Sequence, residues 1–123
     1  MMQVTGGCHC KAVRFTAEIE ESVSLLICNC SICEPIAYEH LIVPEAKFTL
    51  EAADDALTSY RFGSGEAEHL FCKVCGVKSY YWPRSHPGCV SVNFRGLDDR
   101  TGITVERQYF DGKNWEMAKL NLR

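Results

Sequence analysis

Cysteine spacing is the feature that most constrains this fold, because seven of the eight cysteines fall into three short groups. The groups are Cys8 and Cys10, then Cys28, Cys30 and Cys33, then Cys72 and Cys75. A tetrahedral zinc ion with Zn–S bonds of about 2.3 Å needs sulfur atoms roughly 3.8 Å apart, which C-x-C and C-x2-C loops supply within one turn. Gly76, directly after the last of these cysteines, suits a turn with positive φ. The spacing therefore predicts tight loops that bind metal.

The composition argues against the other common use of clustered cysteines. Eight cysteines in 123 residues fall below the roughly 8 to 10% that marks a small secreted disulfide scaffold. The first ten residues lack the basic start and apolar segment of a signal peptide. We therefore expect a cytoplasmic protein, in which clustered thiols more often bind metal or take part in chemistry than form disulfides.

Length and charge set further limits. A chain of 123 residues is expected to form a single domain over residues 1–123. No apolar run approaches the roughly 18 residues of a membrane span, so no membrane association is expected. The net charge of -3 and the pI near 5.8 come with scattered lysines and arginines. Without a basic stripe we expect no nucleic-acid binding.

The seven clustered thiols divide naturally into four and three. Two pairs far apart in sequence form a familiar closed zinc site, here a quartet of Cys8, Cys10, Cys72 and Cys75. Three neighbouring thiolates can cap one face of a second zinc ion and leave its fourth position open, here a trio of Cys28, Cys30 and Cys33. In the alternative division the central group completes the tetrahedron, which leaves two ligands of a terminal pair unused.

An open three-cysteine site favours sulfur chemistry. Zinc with three thiolates carries one net negative charge and still binds a soft incoming thiolate. A thiol that binds there loses its proton and becomes a nucleophile at neutral pH. For the trio, the alternatives are no metal, a structural ion completed by a neighbouring side chain, or a redox dithiol. For the quartet, the alternative is four ordinary buried or reactive thiols.

The remaining cysteine, the histidines and the aromatic run are not predicted to bind metal. Cys89 has no neighbouring cysteine and is predicted to be a packed strand residue. His9 must point away from a metal that both flanking cysteines bind, whereas His69 is either a hydrogen-bond donor near the metal ligands or a plain strand residue. Packing roles are expected for His40, His86, Tyr80, Tyr81 and Trp82. One of the three aromatic rings could also line a small pocket.

Hydrophobic alternation predicts a mainly β fold. Residues Lys11 to Glu20 alternate apolar and polar side chains, as a half-buried strand does. Further strand candidates are Leu25–Ile27, His40–Val43, Phe48–Leu50, Thr58–Phe62, Ala67–Phe71, Val77–Trp82, Cys89–Phe94 and Thr101–Phe110. Turn signals such as Gly63-Ser64-Gly65 indicate a mostly antiparallel arrangement. Only Asn114–Leu120 looks helical, which predicts one short C-terminal helix.

Three segments resemble a known family. Gly6–Phe15, Cys28–Cys33 and Phe71–Gly76 resemble the signature blocks of the glutathione-dependent formaldehyde-activating enzyme and centromere protein V family. The run from Phe71 to Asp98 is most similar to the short centromere protein V-like members of that family. The resemblance implies a β-tent-like fold, in which small antiparallel sheets surround a structural zinc.

The resemblance also implies roles for the cysteines. The quartet matches the structural zinc ligands, and the trio matches the positions assigned to catalysis with a second zinc. The implied activity is that of a carbon–sulfur lyase, which reversibly joins formaldehyde and glutathione as S-hydroxymethylglutathione. The implied partners are therefore a small thiol and a small aldehyde.

The chain departs from the family's pattern at two positions. Lys11 stands where a glycine is common, and Glu34 follows the trio where many relatives carry a basic residue. An acid beside an anionic site would disfavour the two carboxylates of glutathione. We expect a zinc enzyme that acts on the thiol adduct of a small aldehyde, with the exact thiol left open. The alternative is a zinc-stabilised binding or scaffold module with no turnover.

Overall fold

The computed structural model describes residues 1–52 and 55–116. Within these ranges it confirms a mainly β fold of ten strands in two sheets. The strands are β1 (Met2–Gly7), β2 (Val13–Ile19), β3 (Ser22–Cys28), β4 (Glu39–Pro44), β5 (Phe48–Ala52), β6 (Leu57–Tyr60), β7 (Glu68–Cys72), β8 (Tyr80–Trp82), β9 (Cys89–Asn93) and β10 (Thr104–Phe110). Short 3-10 helices occupy Glu34–Ile36, Glu45–Lys47, Phe94–Gly96 and Gly112–Asn114. No helix in these ranges is long and apolar enough to cross a bilayer.

The two sheets are mostly antiparallel, as predicted. The first has the strand order β1-β2-β5, and the second has the order β10-β3-β4-β9-β8-β7-β6. The exception is the parallel pair β3 and β10, whose register runs from Ser22 opposite Thr104 to Cys28 opposite Phe110. This pairing brings the chain after Phe110 directly to the trio, which begins at Cys28.

The main hydrophobic core combines side chains from both sheets. The predicted alternation in β2 is confirmed, since Val13, Phe15, Ala17 and Ile19 are all buried. Phe15 stacks on Phe48 of β5 with ring centroids 5.7 Å apart. Two smaller clusters of buried residues lie around the cysteine groups, one containing Cys8 and Cys72 and the other containing Cys33.

Two features differ from the sequence prediction. Strand β1 was not predicted, because Gly6 and Gly7 are weak strand formers, yet it pairs with β2 along its whole length. The predicted helix Asn114–Leu120 lies largely outside the described residues. Where the structure does describe this segment, the 3-10 helix Gly112–Asn114 is followed by two α-helical residues, Trp115 and Glu116, and a full C-terminal helix is not seen among the described residues.

Candidate functional site

The structure brings the quartet together as one group. Sulfur atoms of Cys8, Cys10, Cys72 and Cys75 all lie within 4.8 Å of one another. The Sγ atoms of Cys8 and Cys10 are 3.7 Å apart, and those of Cys10 and Cys72 are 3.5 Å apart, which is close to the spacing of a tetrahedral zinc site. Because Cys8 follows β1 and Cys72 ends β7, this group links the first sheet to the second.

Two similar turns present the quartet. The backbone amides of Cys8 and Cys72 each donate to the carbonyl oxygen five residues later, in both cases at 3.0 Å. The residue after the second cysteine of each turn has positive φ, which is 69° at Lys11 and 77° at Gly76. Gly76 adopts this left-handed conformation without strain, whereas Lys11 adopts it despite its side chain. The departure at Lys11 therefore leaves the geometry of the turn unchanged.

Backbone amides near the quartet favour the thiolate form of its cysteines. The amides of Cys75 and Val74 donate to the Cys72 sulfur, each at 3.4 Å, and these hydrogen bonds lower the pKa of Cys72. A backbone hydrogen bond from Cys10 and another from Val77 lower the pKa of Cys75 to about 6. Thiolates are the form that binds metal ions, so the turn that contains Cys72 and Cys75 favours binding of a cation.

The structure also brings the trio together. The sulfur atoms of Cys28, Cys30 and Cys33 all lie within 4.8 Å of one another. Cys28 ends β3, and the next two cysteines lie in the turn before the 3-10 helix Glu34–Ile36. The Tyr38 amide donates to the Cys33 carbonyl at 3.2 Å, which closes this turn.

Contacts within the trio shift the pKa values of its three thiols in different directions. Contacts from Cys28 and then Cys33 lower the pKa of Cys30. The contact with Cys30 raises the pKa of Cys28, and contacts with Cys28 and then Cys30 raise the pKa of Cys33. A bound cation would favour the thiolate form of all three side chains.

The segment after β10 packs closely against the trio. The Asn29 side chain, between the first two trio cysteines, donates to Asp111 at 3.0 Å. A Cβ atom added at Gly112 would lie 2.5 Å from the Cys28 sulfur and 2.8 Å from Cβ of Cys30. Only glycine fits this close approach.

We expect Gly112→Ala to disturb the trio while leaving the quartet intact. The added methyl group must displace Cys28 or Cys30, and overpacking of this kind costs roughly 1 to 3 kcal/mol. Metal analysis should show less bound metal per chain in Gly112→Ala than in the wild type. Gly96→Ala is the matched control, because its Cβ would lie 3.3 Å from the Gly7 carbonyl oxygen and more than 4 Å from the trio. Equal metal content in both variants would contradict the assigned packing.

A cavity of about 210 Å³ opens beside the trio, and all three of its thiols line the wall. Two histidines and four aromatic residues also line it, namely His40, His69, Phe62, Tyr81, Phe110 and Trp115. Arg84 is the one described lining residue with a permanent charge, and no carboxylate is found among the described lining residues. The guanidinium carbon of Arg84 lies 3.4 Å from the ring centroid of Trp115. The trio therefore faces a mainly apolar space with one positive side chain.

Comparison with known proteins identifies the family. The family model described as glutathione-dependent formaldehyde-activating enzyme matches residues 3–113, a range that contains the quartet, the trio and most of the cavity. The chain belongs to this family.

A Schizosaccharomyces pombe protein named as an uncharacterized lyase is 26% identical over 104 residues, which cover 82% of this chain and 75% of that protein. The crystal structure of a Rhodobacter sphaeroides protein, a structural genomics target, aligns with a TM-score of 0.68 and 28% identity over 76% of this chain and 87% of that chain.

Membership of the formaldehyde-activating enzyme family confirms the resemblance found in the sequence. Both cysteine groups offer clustered sulfur donors, which suit zinc better than calcium or magnesium. The quartet offers four donors, the number that a closed tetrahedral site needs. The trio supplies three donors and lies on a cavity, so the residues present fit an ion with one position available for a small molecule.

In this member of the formaldehyde-activating enzyme family, His40 is a buried residue of the cavity wall. Its Nδ1 lies 3.0 Å from the Ser91 hydroxyl and 3.1 Å from the Tyr81 hydroxyl. Burial lowers the pKa of His40 to about 3, so its ring is neutral. In the described part of the chain, its Nε2 has no hydrogen-bond partner. The contacts at Nδ1 hold the His40 ring in place, and the ring forms part of the cavity wall beside the trio.

Three other sequence interpretations can be compared with the structure. Tyr81 lines the cavity, as was suggested for one ring of its aromatic run. Cys89 begins β9, is half-buried and lies apart from both cysteine groups. His9 is exposed.

Three residues that matter to the cavity were not singled out from the sequence. Phe62 and Arg84 come from loops whose approach to the trio depends on distant strand pairing. Lys78 is buried behind the cavity wall. Its signal in the sequence is a lone lysine inside the largely apolar run from residue 77 to residue 82.

Proposed function

We propose that this chain is a zinc-dependent carbon–sulfur lyase that reversibly joins a small thiol, such as glutathione, to a small aldehyde, such as formaldehyde. The observation that carries this proposal is the convergence of all three trio thiols on one cavity. Four further thiols are grouped apart in the quartet, away from the cavity lining. The family description and the lyase name of the S. pombe relative support the choice of reaction and substrates.

The reaction needs a sulfur nucleophile and a carbonyl carbon in one small space. When bound by Cys28, Cys30 and Cys33, zinc would supply a site that keeps an incoming thiol ionised at neutral pH. The substrate sulfur forms a bond to the carbonyl carbon, and the π electron pair of the carbonyl moves to oxygen. The proton that the thiol released ends on that oxygen, which gives the hydroxymethyl thioether. Cleavage runs through the same steps in reverse.

The cavity walls suit this reaction. Phe62, Tyr81 and Trp115 line the space with aromatic surface, which excludes water from the reacting atoms. A volume of about 210 Å³ is below the roughly 300 to 1,000 Å³ of pockets that enclose drug-sized ligands. The cavity therefore fits the reacting end of a thiol adduct, and the remainder of a larger thiol would extend past the lining residues.

The one permanently charged side chain among the described cavity-lining residues favours a thiol that carries a carboxylate. Arg84 lines the cavity and forms no ion pair with a carboxylate in the described parts of the chain. Glu34 instead lines a separate depression that shares only Cys28 and Cys33 with the trio. The acidic departure noted in the sequence thus lies away from this cavity, where a positive side chain is available for an anionic substrate.

Arg84→Gln should raise KM for glutathione by about 10-fold, because a charge-assisted hydrogen bond to a carboxylate is worth roughly 1.5 to 3 kcal/mol. The KM for an uncharged thiol such as 2-mercaptoethanol should stay within a factor of two. Arg100→Gln is the control, since Arg100 bonds the Arg95 carbonyl and is not among the lining residues. An equal rise in KM for both thiols would rule out recognition of charge by Arg84.

The test of the proposed function is the rate of hydroxymethyl thioether formation from formaldehyde across a panel of thiols. NMR exchange spectroscopy measures both directions of this reaction. We expect the wild-type protein to accelerate exchange for at least one carboxylate-bearing thiol. No acceleration for any thiol would favour a zinc-stabilised binding or scaffold module.

A further inference from the structure

A buried lysine contacts a histidine on the cavity wall. Lys78 is only 8% exposed, and its Nζ lies 2.7 Å from Nδ1 of His69. In the described residues, no carboxylate forms an ion pair with Lys78. Two aromatic faces are nearby instead, with Nζ 4.0 Å from the ring centroid of Tyr81 and 4.9 Å from that of Tyr38. Such cation–π contacts stabilise a desolvated ammonium group.

The contact with Lys78 determines which nitrogen of His69 carries the proton. An ammonium group has only donors, so Nδ1 must accept and Nε2 of the neutral ring must carry the hydrogen. Burial lowers the pKa of Lys78 to about 8, which leaves most of it protonated at pH 7. Burial, together with the charge of Lys78, lowers the pKa of His69 to about 4, so its ring is neutral there.

The ring of His69 lines the cavity, and its donating nitrogen has no protein partner among the described residues. Its ring stacks between Phe62 and Tyr81, with centroid distances of 5.5 Å and 4.6 Å, and these three residues line the cavity with the trio. Among the described residues, the buried polar side-chain atoms without a partner are Nε2 of His40 and Oγ of Ser79. Nε2 of His69 is not one of them and bonds no described protein group, so this atom is not sealed in the protein and belongs to a ring that lines the cavity.

We propose that His69 is a catalytic residue that donates a hydrogen bond from Nε2 to the aldehyde oxygen, and that Lys78 is the positioning residue that keeps His69 in the donating tautomer. This inference rests on the proposed function. As the C–S bond forms, the carbonyl π pair moves to oxygen, and the N–H group stabilises the developing charge until the thiol's proton arrives. A neutral imidazole is a suitable donor because it does not lose its own proton to the alkoxide.

Substitution of His69 tests the donor. His69→Phe keeps the stacked ring and removes the N–H group, and we expect kcat to fall roughly 100-fold with little change in KM. His69→Gln should recover part of the loss, because its side-chain amide offers an N–H donor. Metal content and circular dichroism of both variants establish that the fold and the cysteine sites are retained.

Substitution of Lys78 tests the positioning role. Lys78→Met removes the ammonium group at similar volume, and kcat should fall roughly 10-fold or more as part of the population adopts the wrong tautomer. NMR spectra of protein with 15N-labelled histidine should show His69 protonated at Nε2 in the wild type and partly at Nδ1 in Lys78→Met. Lys47→Met is the control, because Lys47 contacts Met1 and does not line the cavity.

The outcomes separate this inference from the proposed function. Full kcat in His69→Phe, or a wild-type His69 protonated at Nδ1, would overturn the inference and leave the proposed function standing. If the wild-type protein accelerates no thiol reaction, the proposed function fails, and the catalytic role of His69 fails with it. In that case the NMR spectra still decide whether Lys78 sets the tautomer.

Discussion

Cys72→Ser should lower the free energy of unfolding by about 4 kcal/mol or more, a loss typical of variants that remove a structural metal. In the proposed closed site, metal binding contributes to folding because the four thiolates meet only in the folded chain. The effect should be large here because Cys8 follows a strand of the first sheet and Cys72 ends a strand of the second. Denaturant unfolding in buffer without chelator measures the change.

Cys89→Ser is the matched control for this loss. Cys89 is half-buried and belongs to neither cysteine group, so its substitution should cost about 1 kcal/mol or less. A strong chelator should lower the stability of the wild type and of Cys89→Ser toward that of Cys72→Ser. Equal losses in the two variants without chelator would contradict the assignment of Cys72 as a ligand.

Cys30→Ser should reduce thiol-dependent turnover roughly 100-fold or more while the protein remains folded. Removal of a ligand should affect a metal at least as strongly as changes to residues that support ligands, which cost roughly 10- to 100-fold. The quartet joins residues that follow β1 of the first sheet and end β7 of the second, whereas the trio lies within one short stretch after β3. The free energy of unfolding should therefore depend less on the trio than on the quartet. Turnover should depend more on the trio.

Comparison of Cys30→Ser with Cys75→Ser separates a loss of turnover from a loss of folded protein. Cys75→Ser should mainly lower the free energy of unfolding. The turnover of this variant should follow the fraction of protein that remains folded. Cys30→Ser should lose turnover at temperatures where circular dichroism shows a fully folded protein. Retention of normal turnover by folded Cys30→Ser would remove the trio from the mechanism.

Local patterns in the sequence predicted much of the fold. The alternation from Lys11 to Glu20 corresponds to β2, and the turn signal at Gly63-Ser64-Gly65 lies between the antiparallel strands β6 and β7. The parallel pairing of β3 with β10 could not be predicted in this way. It joins residues about 80 positions apart, and no local preference of either strand specifies its partner.

The same distinction applies to the candidate site. The spacing of the cysteines predicted their division into quartet and trio, because short loops bring thiols together locally. The cavity wall could not be predicted, since Phe62, Arg84 and Trp115 reach it from three separate segments. Lys78 and His69 belong to paired stretches of the second sheet, and their contact required the packed structure.

Metal content per chain, measured by elemental analysis of protein purified without chelator, tests the central claim most directly. That claim is the presence of one closed and one open cysteine site in the same small β protein. We expect two zinc ions per wild-type chain and one in a variant with Cys28, Cys30 and Cys33 all changed to serine. A single zinc ion in both proteins would contradict it.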